Sequence, residues 1–451
     1  MHPHIVKRVL FPLHERLRGK RTFDTLEAIE RTQWLAPAEL ADLQFARLRK
    51  LVDYAYTYSP YYRRLLDEHD LPPSRLRSHA DFEKIPPLTR NEVRRHVHEL
   101  RTTPHRPRAR WQSTGGSTGV PVTVLVDRER VEITDAVRLR SHAWFGLEPG
   151  AREIVLWGSP IELTKQDRLR SVRDWLVNSK LLSAFDLQEA TLEQYSGVIR
   201  RCQPEKVFGY ASALYVLACH LAKARSRPVG GLKAIFATAE PLFDFQRKVI
   251  ADVFGCPVAV EYGARDAGLM ANECPEGGLH IPAESMHLEI LGEHADGHGE
   301  IVATHLHSFA FPLIRYRTGD RGSLAGAPCR CGRSLPCLRA VDGRQTDFLM
   351  TSTGRVLHAL SIIYILREMP RIRQFRVLQK SVEHVVVSIV PELAFSVADE
   401  IALVARVHGL LGPDVHVDVE RVPAIATTTS GKFRYVESNV AKQYLDRITQ
   451  T

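Results

Sequence analysis

The sequence of 451 residues has no long hydrophobic run. No uninterrupted apolar stretch approaches the roughly 20 residues that a membrane-spanning helix needs. The first residues, Met1 to Arg8, also lack the long apolar core of a secretion signal. With 44% apolar and 25% charged residues, the composition is typical of globular proteins. We therefore expect a cytoplasmic protein of two or three domains, without a membrane span.

Cysteine is scarce, and its number is odd. The seven cysteines argue against a disulfide framework, which pairs its thiols in an oxidising compartment. Cys274, His280, Cys329 and Cys331 would supply three thiols and one imidazole, enough for a closed tetrahedral zinc site. Their spacing is unusual for a zinc finger, and separate buried cysteines explain the pattern equally well. Cys337 is a candidate to replace one of the four ligands.

A Walker A motif is also missing, because no Gly-Lys-Ser or Gly-Lys-Thr follows a glycine-rich loop at the required spacing. The chain does hold a loop of glycine and hydroxyl residues from Ser113 to Val122. Its closely spaced N–H groups and hydroxyls suit a polyphosphate, although a flexible surface turn has the same composition. Read with Tyr316-Arg-Thr-Gly-Asp320 and Ser430-Gly-Lys432, the loop indicates activation of a carboxylate by ATP.

The positive charge is concentrated near the N-terminus. Residues 1–110 hold 22 Lys and Arg against 14 Asp and Glu, in a chain whose net charge is +9. Nucleic acid, a membrane surface or the phosphates of a large cofactor are candidate partners, but scattered arginines are also typical of a solvated helical face. A basic, zinc-containing nucleic-acid-binding protein is a remote alternative, because no recognised nucleic-acid module accompanies the charge. We expect no nucleic acid partner.

The order of apolar segments predicts an α/β protein. An amphipathic helical pattern runs from about Leu35 to Asp70 and is interrupted by the proline after Ser59. Short apolar runs then alternate with helix-length segments from Val122 onward, as in α/β layers. Three of these runs lead into predicted turns, where ligands of open α/β sheets lie: Trp157 to Pro160, Thr238 to Pro241, and Glu261 to Gly263.

Two later segments change character. Residues 284–325 predict a smaller antiparallel element that ends in a turn at Tyr316 to Asp320. The last 105 or so residues alternate strand-like runs with a helical stretch near 397–411, which predicts a separate small α+β domain. The expected organisation is a helical N-terminal region at 1–110, an α/β core at 111–345 and a small C-terminal α+β domain at 346–451.

Six motifs in order resemble the adenylate-forming superfamily of acyl-CoA synthetases. The similarity spans nearly the whole chain. Within the superfamily, the chain resembles the phenylacetate-CoA ligase-like branch, which includes CapK-type proteins and coenzyme F390 synthetases. The motifs are Ser113 to Val122, Thr238 to Pro241, Tyr262 to Asp266, Tyr316 to Asp320, Gly343 to Asp347, and Ser430 to Lys432. The resemblance implies a large AMP-binding domain and a small mobile C-terminal domain.

The resemblance also implies roles for single residues around ATP. The β- and γ-phosphates would be held by Ser113, Thr114, Gly115, Gly116, Ser117 and Thr118. The nucleotide would further contact Ala239, Glu240, Pro241, Glu261, Tyr262, Gly263, Arg265, Asp320 and Arg344. Within this set, Asp320 would bind the ribose hydroxyls. Asp266 stands where most relatives carry glutamate and would reach Mg²⁺, which prefers carboxylate oxygens.

Lys432 is the implied catalytic cation, placed between the substrate carboxylate and the α-phosphate. A polar tail lysine is the alternative when this motif is read alone. In the hinge motif, Thr346 replaces the usual first aspartate and Asp347 keeps the second, so domain rotation about Asp347 is a hypothesis.

The remaining expectations concern ligands. Some relatives carry a similar cysteine and histidine arrangement, so the resemblance favours structural zinc. Coenzyme A is the expected acyl acceptor, and an amine acceptor, as in CapK-type amide formation, is the alternative. An aryl or compact apolar acid is the expected substrate, with candidate pocket residues that are equally candidates for the core: Trp157, Ser159, Tyr210, Ala237 and Tyr262.

Overall fold

The structure is a computed structural model. It describes residues 6–17, 19–103, 109–113, 122–157, 177–184, 187, 189–223, 230–292, 297–341, 348–351, 356–367, 369, 371–425 and 435–440.

Helices fill the described part of the first hundred residues. One helix ends at Tyr58 and the next begins at Pro60, because proline lacks an N–H group and fits the first turn of a helix. The predicted interruption after Ser59 is therefore confirmed. The segments are a π-helix (Val6–Leu10), α1 (Phe11–Leu17), α2 (Thr22–Thr32), α3 (Pro37–Tyr58), α4 (Pro60–Glu68), a 3₁₀ turn (Pro73–Arg75), α5 (His79–Phe82), α6 (Arg90–Arg95) and α7 (Val97–Leu100).

A hairpin and a large sheet follow. The hairpin pairs β1 (Arg110–Ser113) with β2 (Thr123–Val126). The sheet has eleven strands in the order β10-β11-β12-β13-β9-β8-β7-β6-β5-β3-β4. Its strands are β3 (Glu153–Leu156), β4 (Ser179–Leu182), β5 (Lys206–Tyr210), β6 (Ala234–Thr238), β7 (Val258–Ala264), β8 (Gly268–Glu273), β9 (Leu279–His280), β10 (Met286–Leu291), β11 (Gly299–His305), β12 (Tyr316–Leu324) and β13 (Cys337–Val341).

The sheet is parallel from β4 to β7 and antiparallel from β7 to β10. Helices cover both faces of the parallel half, so β6 is buried at every position. Val207, Ile235 and Val258 share one apolar core with the helices that follow β5 and β6, whereas Phe236 lies on the other face. The helices of this region are α8 (Arg128–Ala143), α9 (Glu189–Cys202), α10 (Ala211–Lys223) and α11 (Asp244–Phe254).

Two segments expected to be turns are strands. Tyr316 to Asp320 opens β12, and Glu261 to Gly263 lies within β7. Both contain a glycine, which favoured a turn, but long-range pairing decides the conformation. Gly319 takes a positive φ of 78° beside a register shift between β11 and β12, so the irregularity is a bulge within a strand. The expected antiparallel element is likewise part of the large sheet.

The C-terminal region forms a second, four-stranded sheet in the order β18-β17-β16-β19. The helical stretch expected near 397–411 is confirmed as α13, which starts at the side-chain cap of Ser396. The elements are β14 (Phe348–Met350), β15 (Val356–His358), α12 (Ala359–Arg367), β16 (Ile372–Ser381), β17 (His384–Pro391), α13 (Val397–Leu411), β18 (His416–Arg421) and β19 (Val436–Ser438). A large sheet and a smaller sheet domain thus confirm the α/β fold class, while the domain boundaries at 110 and 345 and the mobility of the small domain stay predictions.

Candidate functional site

The structure describes part of the predicted nucleotide site. Ser113, Ala239 to Pro241, Glu261 to Gly263, Arg265, Asp266 and Asp320 are described, and so is the cysteine and histidine group. Outside the described residues lie Thr114, Gly115, Gly116, Ser117, Thr118, Arg344 and Lys432, and also Ser159, Thr346 and Asp347.

Two motifs that are distant in sequence meet through a hydrogen bond. Tyr262 on β7 donates its hydroxyl to Oδ2 of Asp320 on β12, at 3.0 Å. The Asp320 side chain is nearly buried, and its backbone N–H donates to the hydroxyl of Thr318 at 3.1 Å. A carboxylate held in this way is oriented before a ligand arrives, which is what recognition of two ribose hydroxyls requires.

Asp266 is a buried residue of the predicted site. Its Oδ2 accepts a hydrogen bond from the Tyr316 hydroxyl at 2.7 Å, and its Oδ1 accepts one from the N–H of Ala267 at 3.0 Å. Burial and the charge of Asp266 raise the pKa of Tyr316, so the phenol remains a donor. Magnesium coordination by Asp266 stays a prediction, and an ion there would share the carboxylate with these two donors.

Arg90 is a site residue that the sequence analysis missed. Its Nη2 donates to the carbonyl of Thr318 at 2.7 Å and lies 3.9 Å from Oδ2 of Asp266. Arg90 is the first residue of α6, whose start is fixed by a capping box between Thr89 and Glu92. This Thr-x-x-Glu pattern is visible in the sequence and was the available signal.

The turn after β6 carries backbone strain. Ala239 has a positive φ of 65°, a conformation that non-glycine residues seldom adopt. Next to it, the buried carboxylate of Glu240 accepts the N–H of Ser212 at 2.9 Å, and the hydroxyl of Thr238 donates to the carbonyl of Glu261 at 2.8 Å. Such strain persists where the surroundings hold it, and it is concentrated at binding sites.

The base of the glycine-rich loop lies beside the Tyr262 to Asp266 motif. Nη1 of Arg265 donates to the carbonyl of Ser113 at 3.4 Å. The Ser113 hydroxyl lies 2.9 Å from the hydroxyl of Thr123, the residue paired with it across the hairpin. The two predicted phosphate-side motifs are therefore adjacent.

Glu261 belongs to a buried polar group with Arg138, His142 and Lys206. This group lies on the opposite face of β7 from Tyr262. Both of its oxygens accept from Nε of Arg138, at 3.2 and 3.1 Å, and His142 Nε2 lies 3.3 Å from Oε1. Burial opposes ionisation of Glu261, but the Arg138 charge and these hydrogen bonds lower its pKa to about 2. Burial and the Lys206 ammonium, 3.0 Å from Nδ1, lower the pKa of His142 to about 4.

Three of the predicted acyl-pocket residues lie in or against one apolar core. Tyr210 and Ala237 are buried members of this core, and Trp157 packs against it. Trp157 and Tyr210 stack with ring centroids 4.2 Å apart and an interplanar angle of 12°, and Phe208 lies beside Trp157 at 5.8 Å. The structure therefore places these residues in the core packing at the carboxyl ends of β3 and β5, and a role in an acyl pocket stays a prediction.

The predicted metal ligands form one cluster. The ligand atoms of Cys274, His280, Cys329 and Cys331 all lie within 4.8 Å of one another. Cys274 and Cys329 have their Sγ atoms 3.7 Å apart, and Nε2 of His280 lies 3.1 Å from Sγ of Cys331. The other ring nitrogen, Nδ1, lies 3.1 Å from the carbonyl of Leu335, a contact that orients metal-binding histidines.

Gly278 and Cys337 clarify the geometry of this cluster. A Cβ at Gly278 would lie 2.5 Å from Sγ of Cys329, so only glycine fits between the ligands. Cys337 lies 3.3 Å from Nδ1 of His280, on the far side of the ring from the other three thiols. The ligand atoms of Cys274, His280, Cys329 and Cys331 therefore point to one position. Cys337 contacts the other ring nitrogen of His280.

Sequence comparisons find a matching domain family and several relatives. Residues 349–439 match the CapK C-terminal domain family. Protein CapK of Staphylococcus aureus is 22% identical over 89% of this chain and 90% of its own length. The phenylacetate-coenzyme A ligases of Thermus thermophilus and Escherichia coli are 29% and 27% identical, each over 69% of this chain and 72% of the relative.

A solved structure shares the fold. The 2-hydroxyisobutyryl-CoA ligase in complex with 2-HIB-AMP and CoA superposes with a TM-score of 0.66, at 20% identity and with 94% of each chain covered. Within the described residues, no helix has both the length and the apolar character needed to cross a membrane.

Proposed function

Because this chain belongs to the adenylate-forming superfamily, in the branch that holds the phenylacetate-CoA ligases and CapK, we propose that it activates a carboxylic acid with ATP. A carboxylate oxygen attacks the α-phosphorus, the bond between the α- and β-phosphates breaks, and acyl-AMP and pyrophosphate form. The sulfur of coenzyme A then attacks the acyl carbon and releases AMP, which completes an acyl-CoA thioester.

One observation carries this proposal: Tyr262 and Asp320 are joined by a hydrogen bond, although 58 residues separate them. The same region holds Asp266 and Arg265, and Arg265 reaches the base of the glycine-rich loop at Ser113. A nucleotide bound there would have its ribose at Asp320 and its phosphates toward Ser113. Magnesium would neutralise phosphate charge, with Asp266 as the carboxylate that suits it chemically.

The catalytic assignment places Lys432 at the reacting groups. An ammonium there would stabilise the negative charge that accumulates as the carboxylate meets the α-phosphate. Lys432 precedes β19 by four residues, and β19 is the strand that completes the small sheet beside β16. The small domain therefore carries the proposed catalytic cation.

Zinc is proposed as a structural ion of Cys274, His280, Cys329 and Cys331. Three thiols and one imidazole with converging atoms form a closed donor set, without a position for substrate. The cluster joins the loops around β9 and β13 at the antiparallel half of the sheet. Metal analysis of protein purified without chelators should give about one zinc per chain.

An amine is the alternative acyl acceptor. The observation that favours it is the match to CapK, which covers more of this chain than the matches to the phenylacetate-CoA ligases do. Adding coenzyme A or candidate amines to preformed acyl-AMP separates the two, because only the true acceptor accelerates release of AMP.

The first test is carboxylate-dependent release of pyrophosphate from ATP across aryl, fatty and amino acids. Asp320→Asn and Lys432→Ala should both abolish release, whereas Lys380→Ala, at an exposed position of the small domain, should not. A protein that releases pyrophosphate equally well with all three substitutions would contradict the assigned site.

A further inference from the structure

Two histidines and one aspartate meet on the four-stranded C-terminal sheet, and the proposed function does not use them. His384 is the first residue of β17, and His416 is the first residue of β18. The two strands are parallel, and the two histidines are paired across them. Because side chains of a strand alternate between its faces, Asp418 lies on the same face as His416. One face of two neighbouring strands therefore carries all three side chains.

This face of the sheet points away from the apolar core. The alternate residue Val385 is buried in that core, and Val417 packs against it. The exposed fraction of the side chain is 31% for His384, 73% for His416 and 43% for Asp418. An ion from solvent can therefore reach the three side chains, and water can complete its coordination.

Both imidazoles present Nε2 to the same carboxylate. Nε2 of His384 lies 2.7 Å from Oδ2 of Asp418, and Nε2 of His416 lies 3.0 Å from Oδ1. One ligand atom from each of the three residues lies within 4.8 Å of the others. Zinc bonds of about 2.0–2.1 Å place tetrahedral ligand atoms about 3.3 Å apart. Small rotations of these side chains would therefore open the group to the spacing that zinc requires.

The negative charge of Asp418 is available to a cation. Among the described residues, its carboxylate forms ion pairs with the two histidines and with no lysine or arginine. Glu420, on the same face of β18, accepts a hydrogen bond from Ser388 at 2.9 Å and adds a second negative charge. Imidazole nitrogens suit zinc, copper and nickel, whereas magnesium and calcium prefer oxygen ligands. The donor set therefore favours a transition metal over the magnesium that accompanies ATP.

We propose that His384, His416 and Asp418 form a metal site that binds a zinc ion, with water as the fourth ligand. Three protein ligands and one open position distinguish it from the closed cysteine and histidine cluster. The ion would join the starts of β17 and β18, where the N–H of His416 already donates to the carbonyl of Glu383 at 2.7 Å. Binding requires neither ATP nor an acid, so the site is independent of the proposed function.

Zinc titration of the full-length protein, with any affinity tag removed, tests the site at about pH 7.5, where imidazole is mostly unprotonated. Calorimetry should show a zinc affinity that falls by at least about tenfold in His384→Gln, in His416→Gln and in Asp418→Asn. Loss of an outer hydrogen-bond partner alone costs about tenfold to a hundredfold in metal affinity, and loss of a ligand costs more. These substitutions leave the cysteine and histidine cluster intact, so the difference between isotherms isolates the new site.

His220→Gln is the matched control. Nε2 of His220 lies 3.3 Å from the Glu193 carboxylate, in a pair that no third ligand among the described residues joins. Its isotherm should equal that of the unsubstituted protein, and excess magnesium should not displace zinc from either. Unfolding by urea without zinc should be unchanged in His416→Gln, because that side chain is largely exposed.

Two results would overturn the proposal. Full zinc affinity in any one of the three ligand variants would do so, because the two remaining groups would not account for binding. Equal competition by magnesium would also do so, since it would indicate a site of oxygen ligands.

Discussion

At the scale of single residues, hydrogen bonds between motifs give the site its shape. Tyr262 bonds Asp320, Tyr316 bonds Asp266, and Arg265 bonds Ser113. In each pair, one partner comes from β7 or the turn that follows it. Each of these contacts can therefore be tested by a substitution that removes one hydrogen-bonding group, followed by a measurement of activity.

Tyr262→Phe removes one hydroxyl and keeps the ring. A hydrogen bond to a charged group contributes about 1.5–3 kcal/mol, so KM for ATP should rise by about tenfold to a hundredfold while kcat changes less. Tyr56→Phe is the matched control, since Tyr56 donates to Asp67 at 2.8 Å on the surface. Steady-state pyrophosphate release checks both variants, and an unchanged KM in Tyr262→Phe would contradict the role of Asp320 in nucleotide binding.

Gly278→Ala should disrupt the cysteine and histidine cluster. The added methyl carbon would meet the Cys329 sulfur, and no flexible side-chain end is there to give way. We expect loss of bound zinc and a lower melting temperature. Gly326→Ala serves as the control, because a Cβ there has no neighbour within 4 Å. Zinc content by metal analysis and thermal unfolding distinguish them, and full zinc retention in Gly278→Ala would contradict the assignment.

At the scale of elements, the start of helix α6 positions Arg90 against β12. Leu88 bonds both Arg315 and Arg317 through its backbone, so the residues before the helix extend the edge of the site. The Thr89 hydroxyl then accepts the N–H of Glu92 and fixes the first turn. An N-terminal element thus reaches the nucleotide motifs through one helix cap.

Thr89→Ala should lower the free energy of unfolding by about 1 kcal/mol and weaken ATP use as well. The second effect follows because Arg90 begins the same turn. Ser78→Ala removes a comparable cap, on α5, away from the site. Urea unfolding and KM for ATP should separate the two variants, and identical kinetics in both would mean that the cap has no influence on Arg90.

Several elements were predictable because their signals are local. The interruption after Ser59 follows from proline, and α13 follows from its apolar spacing and cap. The strand status of Tyr316 to Asp320 was not predictable, because pairing with β11 overrides the turn tendency of Gly319. Arg90 was also missed, because the Thr-x-x-Glu pattern marks the start of its helix but does not show that the arginine lies 3.9 Å from Asp266. The motifs indicated the predicted nucleotide residues, but not which of them are in contact with one another.

At the scale of the whole molecule, buried neutral histidines should make the protein sensitive to acid. Burial lowers the pKa of His142 to about 4, of His287 to about 3 and of His307 to about 4, and lowers that of His305 well below its usual range. Unfolded histidines titrate near 6.5, so the unfolded chain binds more protons below that pH. Stability should therefore fall as pH drops from about 6.5 to 4, by up to about 1.4 kcal/mol per pH unit for each histidine.

The urea midpoint measured from pH 7.5 down to pH 5 checks this slope. In His287→Gln, the slope of the unfolding free energy against pH should decrease by the equivalent of about one proton, because glutamine does not titrate. His69→Gln, at an exposed position, is the control. An identical slope in the unsubstituted protein and in His287→Gln would show that His287 is not held neutral by the fold.

The alternation of side chains along β7 has an evolutionary consequence. Glu261 belongs to the polar group beneath α8, while its neighbour Tyr262 reaches Asp320 from the other face of the strand. The buried ion pair and the Tyr262–Asp320 hydrogen bond are therefore separated by the thickness of one strand. Because successive side chains of a strand point to opposite faces, a substitution in the ion pair leaves the Tyr262 side chain in place. The two faces of this strand can therefore change independently in a lineage that keeps the fold.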